Sequence, residues 1–559
     1  MSTFYEEIVE FIKKEKPDKE KLSKQKTRLS GKHSLKKIPT DIEILLHTHD
    51  EDIPTVKPYL LTKPGRTGSG VSVVAIMSYP FKCPHGECDM CPSLTDEEIP
   101  QSYTGKEPAT MRGIRNEFDP YLQIINRLEQ YIVTGHNPEK VELIVMGGTF
   151  MSFPDEYKEE FLTNAYKALN DFSEKFYSEN EFLLEDFKQF FELPGEVGDP
   201  GRTEKIHNKL KEMKASNRST LENEQERNED AVCRCVGLTI ETRPDFGKLK
   251  EGLEMLRYGC TRVELGVQTV YNKVLEEINR GHYVEDSIES TKILKDLGFK
   301  INYHLMPGLP GVSFEDDVLG FKKIFDDEEF RPDMLKLYPC MVLKDSKLYK
   351  RWKKGEFSPI DTQKASKLIR EFKQYVPRYV RIMRVQRDIP TYAIEAGVEH
   401  TNLRQFIEKL NPGCRCIRCR EVGHVYAKKG ILPENIKTVV RKYNASKGKE
   451  YFISLEDREK DILVGFIRLR FPSEKLSKEI TDTSALIREL HIYGDIARIG
   501  QKSNAQHRGY GKKLLEKAEN IARENNKSKI LVISGIGVRS YYRKFGYKRD
   551  GPYMAKFLE

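Results

Sequence analysis

The sequence predicts an α/β protein in which a basic helical module precedes a partial (βα) barrel and a smaller α/β domain follows it. Continuous apolar runs alternate with helical patterns through the middle of the chain, as in a parallel sheet that helices cover on both faces. Glycines and charged residues follow several of these runs, at the strand ends where barrels place their chemistry. The length of 559 residues also exceeds what one hydrophobic core normally organises.

The composition is that of a globular protein in a reducing compartment. Hydrophobic residues make up 38% and charged residues 32% of the chain, so we expect ordinary cores under a well-solvated surface. The N-terminus lacks the apolar segment of a signal peptide, and no stretch approaches the roughly 18 apolar residues of a membrane span. Most of the ten cysteines fall in tight groups, which indicates metal ligation rather than disulfides. We therefore expect a cytoplasmic protein with no membrane contact.

Residues 1–70 are predicted to form the basic helical module. Between residues 11 and 40 there are eleven Lys or Arg side chains and only three acidic ones. Such a block attracts a polyanion through counterion release, although a solvated, partly disordered lysine tail would have the same composition. The Pro- and Gly-rich stretch 54–70 ends the module.

Residues 71–395 are predicted to form the barrel. Apolar runs mark its strands at residues 71–79, 141–146, 236–241, 262–267, 300–306, 334–338 and 380–385. Periodic patterns between them predict helices at residues 120–133, 155–169, 249–258, 284–297 and 314–324. Segment 171–232 interrupts the alternation with sixteen acidic and nine basic residues. We interpret it as a partly helical, mobile acidic insertion rather than as a domain with a core of its own.

A group of three cysteines, Cys83, Cys88 and Cys91, follows the first predicted strand. Three thiolates on a short loop can hold three corners of a [4Fe-4S] cluster and leave the fourth iron open. A structural zinc site is the alternative, but it normally takes four protein ligands, and His85 lies awkwardly inside the loop. Followed by glycine-rich strand ends, the loop resembles that of the radical S-adenosylmethionine enzymes. Its x4 spacing departs by one residue from the x3 spacing that is usual there.

In that superfamily the open iron binds S-adenosylmethionine, so the resemblance implies roles for residues at the predicted strand ends. Gly147 and Gly148, after the second strand, would contact the amino group of this cofactor. Thr149, Glu241 and Gln268, at the ends of the second, third and fourth strands, complete the expected cofactor site.

Residues 396–430 form a polar connector that holds Cys414, Cys416 and Cys419. Three soft ligands within six residues favour a Zn²⁺ site over three free thiols. Three other residues are candidates for the fourth ligand, and the sequence does not choose among them: His400, His424 and Cys340. We expect a structural clip at the junction of the two domains, with catalytic zinc as the alternative.

Residues 431–559 are predicted to form the second α/β domain. Strands are expected at residues 451–455, 462–469, 485–493 and 530–533, with a helix at 510–525. The segment Gln506-His507-Arg508-Gly509-Tyr510-Gly511 opens this helix. Glycines there let backbone amides approach a pyrophosphate, which the helix N-terminus attracts, although an ordinary strand-to-helix turn can have a similar sequence.

This domain resembles the Gcn5-related N-acetyltransferases. A strand containing Glu489-Leu490-His491-Ile492 precedes the 506–511 loop, and Tyr541 and Tyr542 follow it about 30 residues later. The resemblance implies that the strand pairs with the pantetheine arm of acetyl-coenzyme A and that the loop cradles the pyrophosphate. It also implies that one tyrosine approaches the thioester sulfur, while simple aromatic packing is expected for the other.

The fusion of these two domains resembles the catalytic subunit of Elongator in its archaeal form. Four segments carry the match, at residues 101–105, 145–152, 384–390 and 551–554. The resemblance extends from about residue 71 to the C-terminus apart from 171–232, whereas the N-terminal module is similar in character only. It implies that Lys140 contacts coenzyme A from the barrel. Lys336 lies on a predicted strand, where a charge has to be paired or functional, and is a catalytic candidate that would contact the adenosyl group.

The resemblance implies an enzyme that builds a carboxymethyl-type group on carbon 5 of the wobble uridine of tRNA. A 5′-deoxyadenosyl radical from S-adenosylmethionine would activate the acetyl methyl of acetyl-coenzyme A for addition to the uridine. The anticodon loop of tRNA and an electron donor protein are the expected partners, and the oligomeric state is left open. The alternatives are a protein lysine N-acetyltransferase with a structural radical domain, and an RNA-binding scaffold with an idle coenzyme A pocket.

Overall fold

The computed structural model describes residues 3–62, 67, 70–195, 199–400, 402–410, 413–493 and 509–559. Its helices are α1 (Phe4–Glu15), α2 (Lys19–Lys32), α3 (Asp41–Leu46), α4 (Ile53–Leu60), α5 (Pro108–Arg115), α6 (Pro120–Val133), α7 (Asp155–Phe176), α8 (Leu184–Phe190), α9 (Pro200–Ala215), α10 (Leu221–Asp230), α11 (Leu249–Arg257), α12 (Asn272–Glu277), α13 (Val284–Asp296), α14 (Phe314–Asp326), α15 (Lys347–Lys353), α16 (Thr362–Tyr375), α17 (Leu403–Lys409), α18 (Ile417–Arg420), α19 (Val422–Lys429), α20 (Tyr510–Glu524) and α21 (Arg539–Arg543). In the described part of the chain, none of these helices is long and apolar enough to cross a lipid bilayer.

The strands are β1 (Ser72–Met77), β2 (Lys140–Met146), β3 (Tyr177–Ser178), β4 (Glu181–Phe182), β5 (Arg234–Thr242), β6 (Arg262–Gln268), β7 (Lys300–Leu305), β8 (Met334–Leu337), β9 (Arg381–Arg384), β10 (Ile436–Ala445), β11 (Gly448–Asp457), β12 (Ile462–Phe471), β13 (Ser484–Ile492), β14 (Lys529–Val532), β15 (Lys548–Asp550) and β16 (Tyr553–Phe557). They form two seven-stranded sheets and one small hairpin, β3–β4.

The N-terminal module consists of α1 to α4 around a small core of its own. Thr3 and Thr40 cap α1 and α3, and each cap is completed by a hydrogen bond from the threonine amide to a glutamate three residues further on. Phe4, Ile8 and Ile12, at helical spacing on α1, are buried against the other helices. The sequence between these apolar positions is mostly lysine and glutamate, so the outer face of the module is highly charged.

The barrel is a sheet of seven parallel strands in the order β1-β2-β5-β6-β7-β8-β9. Each strand matches one of the seven apolar runs in the sequence, so the predicted partial barrel is confirmed. The side chains of β6 are buried on both faces, because helices cover the outside and other side chains fill the inside. The carboxyl ends of all seven strands lie at one edge of the sheet, where the candidate site is found.

The acidic segment 171–232 packs onto the barrel. It contains the end of α7, the β3–β4 hairpin and α8 to α10. Four of its phenylalanines are fully buried in the main core: Phe172, Phe176, Phe187 and Phe191. Glu229 on α10 forms ion pairs with Arg539 and Arg543 of α21. The segment therefore contacts the C-terminal domain as well as the barrel.

The C-terminal sheet has the order β10-β11-β12-β13-β14-β16-β15. The central strands β13 and β14 pair in parallel only over residues 484–487 of β13, whereas β13 continues to pair with β12 as far as Ile492. The two parallel strands thus separate into a fork after Ile487. Strand β10 is not among the predicted strands. Its side chains are mostly half-buried or exposed, so its sequence lacks the apolar run that marks a buried strand.

A buried network of charges joins the barrel to the C-terminal sheet. Arg488 of β13 donates hydrogen bonds of 2.6 and 2.8 Å to Asp333, the residue directly before β8. Arg470 of β12 donates a hydrogen bond of 2.8 Å to Asp296, the last residue of α13. All four side chains are fully buried. Because an unpaired buried charge costs several kcal/mol, the network opposes any displacement of one sheet against the other.

Further side chains complete this network. Glu450 of β11 lies 2.9 Å from Arg470 and 3.1 Å from Arg488, and so bridges the two arginines. Burial by itself would raise the pKa of the Asp333 carboxyl, but the charges of Arg488 and Arg468 hold it well below its usual range. The carboxylate therefore stays ionised at neutral pH, as the pairing requires.

Replacing the charge of Asp333 is expected to destabilise the protein strongly. Asp333→Asn keeps the shape of the side chain but removes a fully buried carboxylate that two buried arginines, Arg468 and Arg488, share. We expect a loss of about 3–5 kcal/mol, measured as a lower midpoint of thermal unfolding. Glu474→Gln is the matched control, because its half-exposed ion pair with Lys292 crosses the same interface and is worth about 1 kcal/mol or less. If both substitutions lower the unfolding midpoint equally, the buried charge of Asp333 does not have the stabilising role that we assign to it.

Candidate active site

The cysteine loop follows β1 and is anchored to the loop after α12. Cys88 and Cys91 are buried, and Cys83 is half-buried. Between them, Asp89 donates its backbone amide to the carbonyl oxygen of Ile278 over 2.9 Å. Its carboxylate accepts hydrogen bonds from Asn279 over 2.9 Å and from Arg351 over 3.2 Å. These contacts hold the loop against the barrel without using its sulfur atoms.

The sulfur atoms are surrounded by polar groups. Cys91 Sγ lies 3.0 Å from the Ser102 hydroxyl, and Cys83 Sγ lies 3.8 Å from the Thr149 hydroxyl. Burial, together with the nearby Cys88, raises the pKa of the free Cys91 thiol to about 12. Such a thiol is a poor nucleophile at neutral pH, so a role as a metal ligand, in which the metal removes the proton, fits it better than covalent catalysis.

The spacing of the three sulfur atoms separates two kinds of metal site. Among the described residues, the sulfur atoms of Cys83, Cys88 and Cys91 do not all lie within 4.8 Å of one another. A single Zn²⁺ ion holds thiolates about 3.8 Å apart. The wider arrangement therefore disfavours the zinc alternative for this loop and fits a cluster of several metal ions.

Gly147 and Gly148 lie beside the cysteine loop at the end of β2. Their φ angles are +128° and +97°, a region that side chains rarely adopt. A Cβ atom on Gly147 would overlap the Ser78 hydroxyl, and one on Gly148 would meet the carbonyl oxygen of Gln101 at 3.6 Å. The pair therefore brings bare backbone to the edge of the barrel, next to the buried side chain of Thr149.

Inside the barrel, Lys336 lies between two carboxylates. Its ammonium group donates a hydrogen bond of 3.2 Å to Glu241 and a shorter one to Glu264. Burial by itself would lower the pKa of Lys336, but these carboxylates raise it above its usual value. The charge on this strand is thus paired, as a buried charge has to be. Tyr103 also donates a hydrogen bond to Glu241 over 3.3 Å.

Glu264 is the most buried member of this group, and sequence reasoning missed it. It is fully buried on β6 and lies 2.8 Å from His304 Nε2, while Asn302 donates to it over 3.0 Å. Burial opposes its ionisation, but Lys336 and His304 hold the pKa of this carboxyl well below its usual range. A carboxylate inside an apolar strand was the available signal, since such a residue needs a buried partner.

Gln268 is the last residue of β6 and has a φ angle of +67°. Its carbonyl oxygen accepts a hydrogen bond of 2.9 Å from the amide of Met306, which fixes the strand end next to β7. Thr149, Glu241 and Gln268 therefore all lie at the carboxyl edge that carries the cysteine loop, in the region that the sequence predicts.

The C-terminal domain presents the fork between β13 and β14 and the N-terminus of α20. The side of residues 489–492 that faces β14 is not paired with that strand, and the side chains of these residues are half-buried. Gly509, with a φ angle of +74°, precedes Tyr510 at the start of α20. Gln506, His507 and Arg508 lie outside the described residues.

The two candidate tyrosines have different surroundings. Tyr542 is buried in the core of the C-terminal domain, with its ring 5.8 Å from that of Tyr547. Tyr541 is half-buried, and its hydroxyl approaches Gly511 so closely that a Cβ atom there would overlap it. The Tyr541 hydroxyl thus lies at the N-terminal turn of α20, while Tyr542 packs in the core.

Lys140 is the first residue of β2 and lies at the amino edge of the barrel. It pairs in register with Arg234 of β5, and the Arg234 side chain packs against Gly537 of the C-terminal domain. Lys140 is half-buried. Because its partner Arg234 contacts the C-terminal domain, Lys140 lies next to the interface between the barrel and that domain.

The second cysteine group forms a compact set. The ligand atoms of Cys414, Cys416 and Cys419 lie within 4.8 Å of one another. Hydrogen bonds from Cys414 and Cys419 hold the pKa of Cys416 well below its usual range. The three candidates for a fourth ligand have other neighbours. Cys340 is buried in a small hydrophobic core that also contains the Cys88 side chain. His400 stacks on Phe406, and His424 lies 3.1 Å from Glu421. Among the described residues, none of them lies within 4.8 Å of all three sulfur atoms.

Four family models together match most of the chain. The ELP3 N-terminal domain matches residues 1–68, the Radical SAM superfamily residues 77–321, the Radical SAM C-terminal domain residues 332–411, and the Acetyltransferase (GNAT) family residues 424–547. The matches follow the order of the domains along the chain, and the barrel and acetyltransferase domains correspond to the two sheets described above.

Full-length relatives and a solved structure agree with these models. A "tRNA uridine(34) acetyltransferase" of Methanocaldococcus infernus is 46% identical over 93% of this chain and 92% of its own length. "Elongator complex protein 3" of Homo sapiens is 40% identical over 96% of this chain and 93% of its own length. The structure of the archaeal Methanocaldococcus infernus Elp3 with an N-terminal deletion has a TM-score of 0.72 at 43% identity, covering 88% of this chain and 100% of that one. The chain therefore belongs to the Elongator complex protein 3 family, in which a radical SAM barrel is fused to a GNAT acetyltransferase domain.

Proposed function

We propose that the protein modifies the wobble uridine of tRNA at carbon 5, using S-adenosylmethionine and acetyl-coenzyme A. The observation that carries this proposal is the similarity to tRNA uridine(34) acetyltransferases, which spans both domains and 93% of the chain. The product would be a carboxymethyl-type group derived from the acetyl unit. Among the residues that the structure describes, no contact favours acetylation of protein lysines, which remains an outcome of the test below.

In this proposal Cys83, Cys88 and Cys91 hold a [4Fe-4S] cluster at the carboxyl edge of the barrel. When bound, the cluster and S-adenosylmethionine supply the radical chemistry that removes a hydrogen atom from the acetyl methyl. The bare backbone of Gly147 and Gly148 accommodates the amino group of S-adenosylmethionine. An electron donor protein supplies the electron that the cluster needs.

Other side chains at this edge position the cofactor and exclude water. Thr149 and Gln268 border the space around the cluster, and Glu241 faces the inside of the barrel, where Lys336 neutralises its charge. Lys336 stays protonated beside Glu264, so it can donate a hydrogen bond to the adenosyl group without changing its charge. Because these groups are paired in advance, little reorganisation is required when the cofactor enters.

In this proposal the C-terminal domain holds acetyl-coenzyme A. The free side of residues 489–492 offers backbone groups to the pantetheine arm, and the N-terminal turn of α20 attracts the pyrophosphate. Tyr541, whose hydroxyl lies at that turn, is the better candidate for the tyrosine that approaches the thioester. Tyr542 has a packing role. Lys140 contacts coenzyme A from the barrel side of the interface.

The tRNA would be bound by the N-terminal module together with the rim of the barrel. Lys21, Lys36 and Lys37 of this module are exposed and suit contact with phosphates. The target base has to leave its stack in the anticodon loop to reach a buried cluster. The module would therefore provide affinity, while the barrel edge provides access to the reactive atoms.

We also propose that Cys414, Cys416 and Cys419 bind one Zn²⁺ ion as a structural clip. Their compact spacing suits a single tetrahedral ion. Ile417, within the group, donates its amide to the carbonyl oxygen of Val380 over 2.9 Å, just before β9. The clip would therefore fix the connector to the last strand of the barrel.

A serine at position 88 is expected to abolish tRNA modification. The reduced protein is incubated with tRNA, S-adenosylmethionine and isotopically labelled acetyl-coenzyme A, and the nucleosides are analysed by mass spectrometry. Cys88→Ser removes a cluster ligand, so the modified uridine should fall below detection, whereas coenzyme A binding should stay within about twofold because the C-terminal domain is untouched. Cys260→Ser is the control, since Cys260 is also buried but donates only to a backbone carbonyl.

The same assay separates the two activities. If the wild-type protein with an intact cluster forms no modified uridine and instead acetylates peptide lysines, the proposed function is wrong and the lysine acetyltransferase alternative is correct.

Removal of one thiolate from the second cysteine group is expected to release zinc. The wild-type protein should contain about one zinc ion per chain, and Cys416→Ser should contain close to none. Elemental analysis by mass spectrometry measures zinc and iron in the same sample. Iron should be retained, because the cluster ligands are elsewhere. Cys235→Ser, a buried cysteine outside both groups, is the control. Unchanged zinc in Cys416→Ser would refute the site.

A further inference from the structure

Arg280 places a guanidinium group against the cysteine loop. It lies in the loop after α12, and its Nη1 donates a hydrogen bond of 3.5 Å to Cys88 Sγ. The other side of the same group is fixed, because Nε and Nη2 donate to the carbonyl oxygen of Gly266 over 3.3 and 2.7 Å. Arg280 thus connects the sulfur atom of one cysteine to the end of β6.

Two glycines make room for this arrangement. A Cβ atom on Gly266 would overlap Arg280 Nη2. A Cβ atom on Gly281, which has a φ angle of +74°, would lie 2.5 Å from the side chain of His85 in the cysteine loop. The arginine and the loop therefore pack at a distance that only glycines permit at these positions.

The charge of Arg280 has no carboxylate partner at ion-pair distance among the described residues, where its hydrogen-bond acceptors are Gly266 and Cys88. The neighbouring Arg351 and Arg243 differ in this respect. Arg351 pairs with Asp89 and Glu277, and Arg243 pairs with Asp245. Within the described part of the chain, the charge that Arg280 places beside Cys88 Sγ is thus not neutralised by an acid.

We propose that Arg280 is a positioning residue that raises the reduction potential of the cluster held by Cys83, Cys88 and Cys91. Hydrogen bonds and net charge at the ligand sulfurs set the potential of iron–sulfur clusters. A reduced cluster carries one more negative charge than an oxidised one, so a fixed cation beside a ligand sulfur stabilises the reduced form. The step is a one-electron transfer from an external reductant, and no bond is formed or broken in the protein.

This inference rests on the proposed function, because it requires the cluster at these cysteines. It goes beyond that proposal by assigning a role to a residue that neither holds the cluster nor contacts the acetyl group. A purely structural role is the competing explanation. It predicts that loss of Arg280 loosens the loop and lowers the iron content, while the clusters that remain keep their potential.

The test is a redox titration of the full-length protein, with electron paramagnetic resonance of the reduced cluster as the readout. Arg280→Gln retains a hydrogen-bond donor but removes the charge, and Arg280→Lys keeps the charge but lacks the planar guanidinium group that bridges Gly266 and Cys88. We expect the equilibrium constant for reduction to fall about tenfold in Arg280→Gln, which corresponds to 59 mV for a one-electron couple. Arg280→Lys should shift in the same direction by less.

Arg351→Gln is the matched control, because Arg351 contacts the same loop through Asp89 but not through a sulfur atom. Its potential should equal that of the wild type. An unchanged potential in Arg280→Gln that retains its iron overturns the inference. If Arg280→Gln does not retain iron, Arg280→Met removes the same charge, and an unchanged potential in that variant overturns the inference. A wild-type protein without a [4Fe-4S] cluster would instead refute the proposed function, and the inference with it.

Discussion

Arginines of the C-terminal sheet are buried against carboxylates of the barrel, and the relation between the two candidate sites depends on this contact. Arg488 reaches Asp333 next to β8, and Arg470 reaches Asp296 at the end of α13. Replacing such a network by apolar residues can leave a protein equally stable, so its presence is not explained by stability alone. The network fixes how the barrel and the C-terminal sheet are placed relative to each other, because a displacement of one sheet would separate the paired charges. The acidic segment adds a second contact through Glu229.

A fixed joint suits a reaction that uses two cofactor sites in turn. The barrel edge carries the cysteine loop and the bare backbone of Gly147 and Gly148, and the C-terminal domain carries the fork after Ile487. A reactive intermediate made at one site has to meet the acetyl group held by the other before water intervenes. The inside of the barrel is charged but internally paired, as Lys336 between Glu241 and Glu264 illustrates. Polar groups there can orient a substrate without large reorganisation.

Local patterns in the sequence predict strands, helices and short motifs. They do not show which residues that are distant in sequence contact each other in the fold. Apolar runs identified all seven barrel strands, because apolar side chains predominate in them, but not β10, whose side chains are mostly half-buried or exposed. The cysteine loop and Gly147-Gly148 were visible as local motifs. Glu264 could have been suspected as a charge within an apolar strand. Arg280 carried no signal, because a basic residue in a polar loop looks the same whether it faces water or Cys88. Similarly, only the fold distinguishes the half-buried Tyr541 from the buried Tyr542.

In the proposed reaction, the radical site acts on an acetyl group that the neighbouring domain holds. Acetyl-coenzyme A with a fully deuterated methyl group tests it most directly, in the presence of reduced protein, S-adenosylmethionine and tRNA. Mass spectrometry of the 5′-deoxyadenosine that forms gives the answer. We expect this product to gain one deuterium atom in step with formation of the modified uridine. Modified uridine that accumulates while 5′-deoxyadenosine stays free of deuterium would contradict it, because the hydrogen atom would then come from somewhere other than the acetyl methyl.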